Sequence, residues 1–502
     1  TLRSTGNIIV RGKLVMRPAT KKTVHKVIFA GVNERRFRGG TMNPVASDVG
    51  LWVMGKGVLN IAGAPKTAWT RTVGGVSAGA TEIRLEVNPD GWRVGDVIAI
   101  APTRKPSAKE AGAEDHTSFD VAVVRALDGD TITLEEPTRF DHPAVNVGGK
   151  VFTPEILNLT RNVRIQGTKK GRSHVFIRSS RPQTIKYAAL SHMGPRKKGE
   201  KILGRWPLHF HHCHGRSRGS LIEGVVMRAA GSHAFVAHES NGVVFRDDIA
   251  YDCQESPFWW DDKTLSFDTV YDRCVAAKTD NFGFALFKGK GNIVADCVAV
   301  GVVPVDHTSN ASGYRWPSAK NEGLWTSENC VSHNNARHGV FFWSNSEIEH
   351  HVQGFDCYHN GRSGTLHGAY KNGSRYTDCT FTGGEFPVRF KASSKLDRRQ
   401  EWVRCTFDGA GGAYAGWIEN RLVPGGQPVL VQDCTFVGKV LVDAKNTVPI
   451  TYDFVRCGLE PNDFDVVMMA RESLIRVQRA DGTAFQIDHT GLPIPIPPFA
   501  PA

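Results

Sequence analysis

The sequence predicts an all-β chain wound as a parallel β-helix, and three observations lead there. Nine cysteines recur from Cys253 to Cys457 at gaps of 21 to 33 residues, each preceded by Asp, Asn or Arg, as in Asp252-Cys253, Arg273-Cys274 and Asn329-Cys330. A unit of that size with one fixed small apolar position marks a solenoid. Each unit also holds short apolar pieces without helical periodicity, such as Gly242-Val243-Val244-Phe245 and Gly339-Val340-Phe341-Phe342, and these read as strands. The 52 glycines and 25 prolines, with recurring Asn-Gly, Asp-Gly and Gly-Gly pairs, supply the turns.

In chain order, residues 1–65 carry Gly-spaced strands, among them Gly12-Lys13-Leu14-Val15-Met16 and Gly57-Val58-Leu59-Asn60-Ile61, and are expected as an N-terminal Gly-rich β module. Residues 66–150 contain Ala80-Thr81-Glu82-Ile83-Arg84-Leu85 and Gly129-Asp130-Thr131-Ile132-Thr133-Leu134, expected as a small inserted barrel or sandwich. The helix then occupies residues 151–460. A cap and a proline-rich tail end the chain at 461–502, where Leu492-Pro493-Ile494-Pro495-Ile496 can form no central strand. One cysteine per coil is expected to point inward and stack. Parallel strands ~4.8 Å apart hold Cβ atoms farther apart than a disulfide prefers, so a reduced ladder follows.

The formal net charge of +12, from 62 Lys and Arg against 50 Asp and Glu, favours a polyanionic partner. The chain carries no helix-turn-helix, zinc-finger spacing or RNA-binding motif and its basic residues are dispersed, so an acidic polysaccharide rather than nucleic acid is expected. No run is apolar enough to span a bilayer, and residues 1–10 do not read as a signal peptide. A secreted, monomeric chain whose signal has been removed is the expectation.

The chemistry concentrates in Gly204-Arg205-Trp206-Pro207-Leu208-His209-Phe210-His211-His212-Cys213-His214-Gly215, which puts four of the 19 histidines within six residues. Alternation in a strand sends Leu208 and Phe210 inward and His209 and His211 out together, leaving His212 and His214 to the following turn. Successive coils align equivalent positions. His238 follows His211 by 27 residues and Asp262 follows His238 by 24, so His209, His211 and His238 are expected to hold a divalent ion, Zn or Ca. Arg205, Asp261 and Asp262 join those histidines as expected catalytic groups. Trp206, Trp260, Lys288, Trp325, His338 and Trp343 are expected along the same wall as sugar contacts, because aromatic rings stack on pyranose faces and cations meet carboxylates. His333, His350, His351 and His359 are expected in solvent near turns.

Two routes stay open. Hydrolysis would draw on Asp261, Asp262, Glu239 or Glu255. Elimination would use an imidazole as base, with Arg205 or the metal neutralising a uronate. A non-catalytic glycan-binding β-helix is the rival outside the enzymes.

Trp92-Arg93-Val94-Gly95-Asp96, Gly204 to His211, and Ala250-Tyr251-Asp252 followed by Pro257-Phe258-Trp259-Trp260-Asp261-Asp262 together resemble segments of the family of the cell-migration-inducing hyaluronan-binding protein and its transmembrane and fibrocystin-like relatives. The Gly-spaced N-terminal strands are similar to that family's eight-glycine domain. The likeness covers about residues 5 to 350. It departs at Trp206 where Tyr is usual, at the added His212, and at Asp261-Asp262 where Glu-Asp is usual. The resemblance implies a right-handed parallel β-helix, export, and carbohydrate handling, with hyaluronan depolymerisation attributed to some members.

Overall fold

In the computed structural model, the described residues are all except 108–115, 260–263, 306–309, 318–323, 343–347, 369–370, 394–396, 413, 420–426, 445–448 and 502. The chain is a parallel β-helix with three faces. Among the described residues, the first face has thirteen strands, from Leu2–Ser4 to Thr435–Val437, and the second has ten, from Ile8–Val10 to Ser363–His367. The third has eight, from Lys13–Met16 to Trp325–Glu328, and two further sheets of four and eight strands carry the coils on.

The corner into the first face explains the cysteine pattern. Arg273, Asp296, Asn329, Asp378, Arg404, Asp433 and Arg456 all adopt left-handed backbone with φ between 49 and 55°, and each precedes a buried cysteine. Asp and Asn tolerate that conformation because their short polar side chains bond locally. The arginines are steadied by carboxylates one coil away, as Arg273 is by Asp247 (3.0 Å) and Arg404 by Asp378 (2.8 Å). Cys253 and Cys357 depart from the predicted single ladder, Cys253 lying in a strand opposite Thr279 and Cys357 in a strand between Ser332 and Phe381, and Asp248 takes the cysteine position one coil before Cys274. All ten cysteines are buried thiols, so the ladder is reduced.

Inside the coils, Phe235, Phe258, Phe284 and Tyr314 stack ring on ring with centroids 4.5 to 4.9 Å apart. Same-position aromatics on parallel strands meet in offset stacks, and truncating one to Ala costs about 3–5 kcal/mol.

Residues 1–65 are the first coils of this same helix. Strand His25–Phe29 pairs directly with Val163–Gln166, and Val58–Ala62 pairs with Thr184–Lys186, although about a hundred residues of insertion separate them. The insertion is a six-stranded antiparallel sheet from Trp69–Arg71 to Glu155–Asn158. Its Trp69, Ala99, Phe119 and Leu157 pack on the outward side chains Val226, Ile249, Tyr251, Val275 and Val298 of the first face. This covering makes strands such as Val298–Val303 apolar on both sides. Buried polar contacts reinforce it: Glu155 pairs with Arg71 (3.0 Å) and shares a hydrogen bond with His333 (3.1 Å).

At the far end, Pro493–Ile496 forms the outermost strand, antiparallel to Ala484–Ile487. Proline fits there because the outer edge asks for no donor. No helix of the described residues is long and apolar enough to cross a membrane.

Candidate functional site

Strand Leu208–His214 lies on the second face, in register with Phe235–Ser240 of the next coil, so that His211 pairs directly with His238. Leu208 and Phe210 enter the core, as alternation requires. His209 and His211 point outward, yet both are buried. The reason is the chain that precedes them. Gly204 to Trp206 folds back over the face, and the His209 Nδ1–H donates to the Gly204 carbonyl at 3.0 Å.

That bond orders the neighbouring protons. Burial, then the adjacent His211 and His238, hold His209 well below the ordinary imidazole pKa, and burial followed by His212 brings His211 down to about 3. Both rings are therefore neutral, with one N–H each. His209 spends its proton on Gly204, so its Nε2 is bare and accepts from His211 Nδ1 at 3.3 Å. His211 Nε2 is then a bare lone pair, buried and without a hydrogen-bond partner.

His212 overturns the expectation that it belongs to the turn. Its φ of +50° breaks the alternation, the register slips between His211 and His214, and the rings of His211 and His212 stack at 4.1 Å. Its Nε2 consequently lies 3.1 Å from His238 Nε2. Burial and the surrounding imidazoles push His238 down to about 2, which keeps it neutral as a ligand must be. Glu239 completes the group, its carboxylate 3.9 Å from His212, His214 and His238. Ligand atoms of His209, His211 and His238 lie within 4.8 Å of one another, and so do those of His212, His238 and Glu239. Tetrahedral bonds of ~2.0 Å place donor atoms about 3.3 Å apart; the His212–His238 separation of 3.1 Å is near that value, and the Glu239 contacts at 3.9 Å are longer.

Beside the cluster opens a cleft of about 640 Å³ lined by His212, His214, Lys56, Arg178, Arg216 and neighbouring backbone. It sits on the same face, because Arg178 belongs to strand Val175–Ser179, which pairs with Leu208–His214. Lys56, Arg178 and Arg216 were not among the residues expected from sequence. Their positions follow from coil register, and no local motif marks them.

Other expected residues go elsewhere. Arg205 is sealed inside, its Nε donating to Asp48 at 2.8 Å and its guanidinium over the Trp52 ring, so it cannot reach a substrate carboxylate. Trp206 is 3% exposed and packs against His233 and Trp259, serving as lid rather than sugar platform. Trp325 belongs to the third face and is buried, its indole donating to the Phe287 carbonyl at 2.7 Å. The unequal coil lengths turned it off the wall. His338 is on the second face but buried several coils away, its Nδ1 bonded to Ser363 Oγ at 2.7 Å. Lys288 is half-buried beyond strand Phe282–Ala285. His333 and His350 are buried rather than solvated, His359 is half-buried and His351 is exposed. Glu255 is drawn away by Arg196 and Lys201. Trp260, Asp261, Asp262 and Trp343 lie outside the described residues.

Fold and site thus define a parallel β-helix protein with a neutral histidine–glutamate cluster beside a basic cleft. In sequence it is similar to the human cell surface hyaluronidase CEMIP2, 22% identical over 236 residues, which is 41% of this chain and 16% of that protein. It is similar also to a G8 domain-containing protein of Dictyostelium discoideum, 23% identical over 271 residues, 52% of this chain and 18% of that one. The human cell migration-inducing and hyaluronan-binding protein is 21% identical over 221 residues, 39% and 15% of the two chains. The relationship is distant, and the chain spans under a fifth of the length of these curated relatives. No family model matches the chain. Among solved structures, the tailspike protein gp49 of Pseudomonas phage LKA1 aligns with a TM-score of 0.28 at 11% identity, covering 94% of this chain and 72% of that one. The catalytic unit of a GH87 alpha-1,3-glucanase from Streptomyces thermodiastaticus aligns at 0.27 and 11%, covering 79% and 82%.

Proposed function

We propose that this protein is a carbohydrate-active β-helix that depolymerises an acidic, uronate-containing polysaccharide such as hyaluronan outside the cell, with a divalent ion at the histidine–glutamate cluster. The observation that carries this is the meeting of neutral His211, His212 and His238 and the Glu239 carboxylate with a cleft whose charged walls are Lys56, Arg178 and Arg216. The hyaluronidase and hyaluronan-binding names of the distant relatives support the substrate class.

The basic side chains bind and orient. An arginine fork matches a sugar carboxylate in two parallel hydrogen bonds, and the net charge of +12 gathers the polymer from a distance. A nitrogen that holds an ion has no lone pair left for a proton, so with the ion on His212, His238 and Glu239 the bare His211 Nε2 is the acceptor for the proton next to a uronate carboxylate. Without the ion, Glu239 offers the acid or base that a glycosidic oxygen or water requires. His209 orients His211 through the hydrogen bond that its own bond to Gly204 dictates. A divalent ion, when bound, supplies positive charge for the substrate carboxylate.

Size-exclusion chromatography of hyaluronan and other polyuronates, with and without chelator, tests the proposal. Shortened chains are expected, fewer in chelator. Unsaturated uronate in the products assigns elimination, and new reducing ends without it assign hydrolysis. Unchanged polymer length with divalent metal present overturns the catalytic reading and leaves a binding protein.

A further inference from the structure

A second basic groove runs along the seam between the insertion and the first face of the helix, on a different face from the histidines. It consists of two adjoining clefts of about 480 and 150 Å³ that share Thr160, Arg161 and Arg164. The larger is also lined by Lys169, His192, Arg228 and Asp252, and the smaller by Lys66, Arg93 and Asp96.

The carboxylates in these walls are already engaged. Asp252 faces Lys278 at 3.5 Å, and Asp96 is held by Lys66 and by the Asn158 amide. The cations are not matched in the same way. Lys169 and Arg228 have no ion pair among the described residues, and the Arg164 Nε–H donates only to the Arg161 carbonyl.

Arg161 is the second observation. Its side chain is 2% exposed and gives Nε and Nη1 to backbone carbonyls of Gly224, Asn158 and Thr160, while Nη2 has no hydrogen-bond partner. Of the carboxylates around it, Asp96 is shared with Lys66 and Asn158, and burial raises the pKa of Asp248 well above the usual range, so neither is a partner of Arg161 alone. A buried guanidinium without a paired carboxylate is costly, and an anion in the groove relieves that cost.

We propose that this seam is a binding groove for a strand of acidic polysaccharide, its carboxylate or sulfate groups meeting Arg161, Arg164, Lys169 and Arg228. The ligand's class rests on the functional reading above, whereas the site is separate from the histidine cluster. Nucleic acid is the other polyanion to consider, but the residues lining the groove include no Phe, Tyr or Trp on which successive bases could stack, His192 being the single ring there. Guanidinium forks spaced along a trough serve a chain of carboxylates or sulfates without stacking.

The test measures anisotropy of fluorescently labelled hyaluronan and chondroitin sulfate oligosaccharides, with neutral dextran as control, on the full chain. The background carries R178A and R216A, which blunt the histidine-side cleft. Binding is expected to persist there and to fall about tenfold or more when R164A and R228A are added, with an unchanged melting temperature. A preference for chondroitin sulfate assigns sulfate, and equal binding of the two assigns carboxylate, as the recognised group. Indifference to R164A and R228A overturns the groove, as does single-stranded DNA that displaces the sugar with equal strength. A chain that binds through the groove but never shortens the polymer overturns the proposed catalysis and leaves the groove standing. A chain that shortens polymer while binding ignores these arginines does the reverse.

Discussion

His212 Nε2 stands 3.1 Å from His238 Nε2, although 26 residues separate them in the chain. Two neutral imidazole nitrogens that close need one proton between them or one ion shared by both. A divalent ion bound to the folded state at a hundredfold excess over its Kd stabilises by about 2.7 kcal/mol. Chelator is therefore expected to lower the urea midpoint, zinc to restore it, and His212→Ala or His238→Ala to abolish the metal response. A midpoint indifferent to metal removes the ion from the site.

Arg205→Ala strips Asp48 of its buried partner. Asp48 stays below the ordinary carboxylate range because its hydrogen bonds, from Arg38, Ser47, Gly39 and Arg205, outweigh the upward push of burial. Breaking such a pair costs about 3–5 kcal/mol. Urea unfolding is expected to show that loss, while activity per folded molecule is retained. Activity lost without a stability change would return Arg205 to the chemistry.

Arg178→Ala leaves the core untouched, since the guanidinium lines only the open cleft. The expected result is a raised KM for polyuronate with an unchanged melting temperature, and steeper loss at high salt as screening weakens the remaining cations.

Acid destabilises the fold. Burial lowers His174, His338 and His367 to about 3, against an unfolded value near 6.5. Below pH 6.5 the unfolded chain binds more protons than the folded one. The stability these rings confer is thus complete above 6.5 and is lost progressively as pH falls toward 3. Urea midpoints measured from pH 7 to 4 are expected to drop continuously, and less so in His338→Gln.

The cysteine ladder is chemically silent in the folded state. Burial pushes Cys330 up to about 12 and raises Cys274 and Cys405 well above the ordinary thiol value. A thiol reagent is expected to find almost none of the ten thiols until denaturant is added, then all of them. Reductant is expected to leave the melting temperature unchanged.

The helix itself was legible because its corner has a chemical price tag in the sequence: a left-handed residue takes Asp or Asn, or an arginine with a carboxylate one coil away, and the inward residue after it is small. His209, His211 and His238 were legible for a related reason, since strand alternation and coil length are both periodic. His212 was hidden because one left-handed residue moved it across the strand, and no residue type announces that for histidine. The N-terminal strands were visible as strands, but their partners lie beyond the insertion, so sequence distance concealed that they open the helix. Arg205 looked reactive beside four histidines, and only the fold-back of Gly204 to Trp206 shows it facing Asp48.

The direct pairing of His211 with His238 also makes the molecule a graduated rule. Each coil lays its side chains one interstrand step, ~4.8 Å, above the last. Such a step is comparable to the advance of one sugar ring along a linear polysaccharide. A chain lying parallel to the axis therefore meets a fresh side chain at each ring, and gaining or losing a whole coil would lengthen or shorten the rule without disturbing the mark at which the histidines stand.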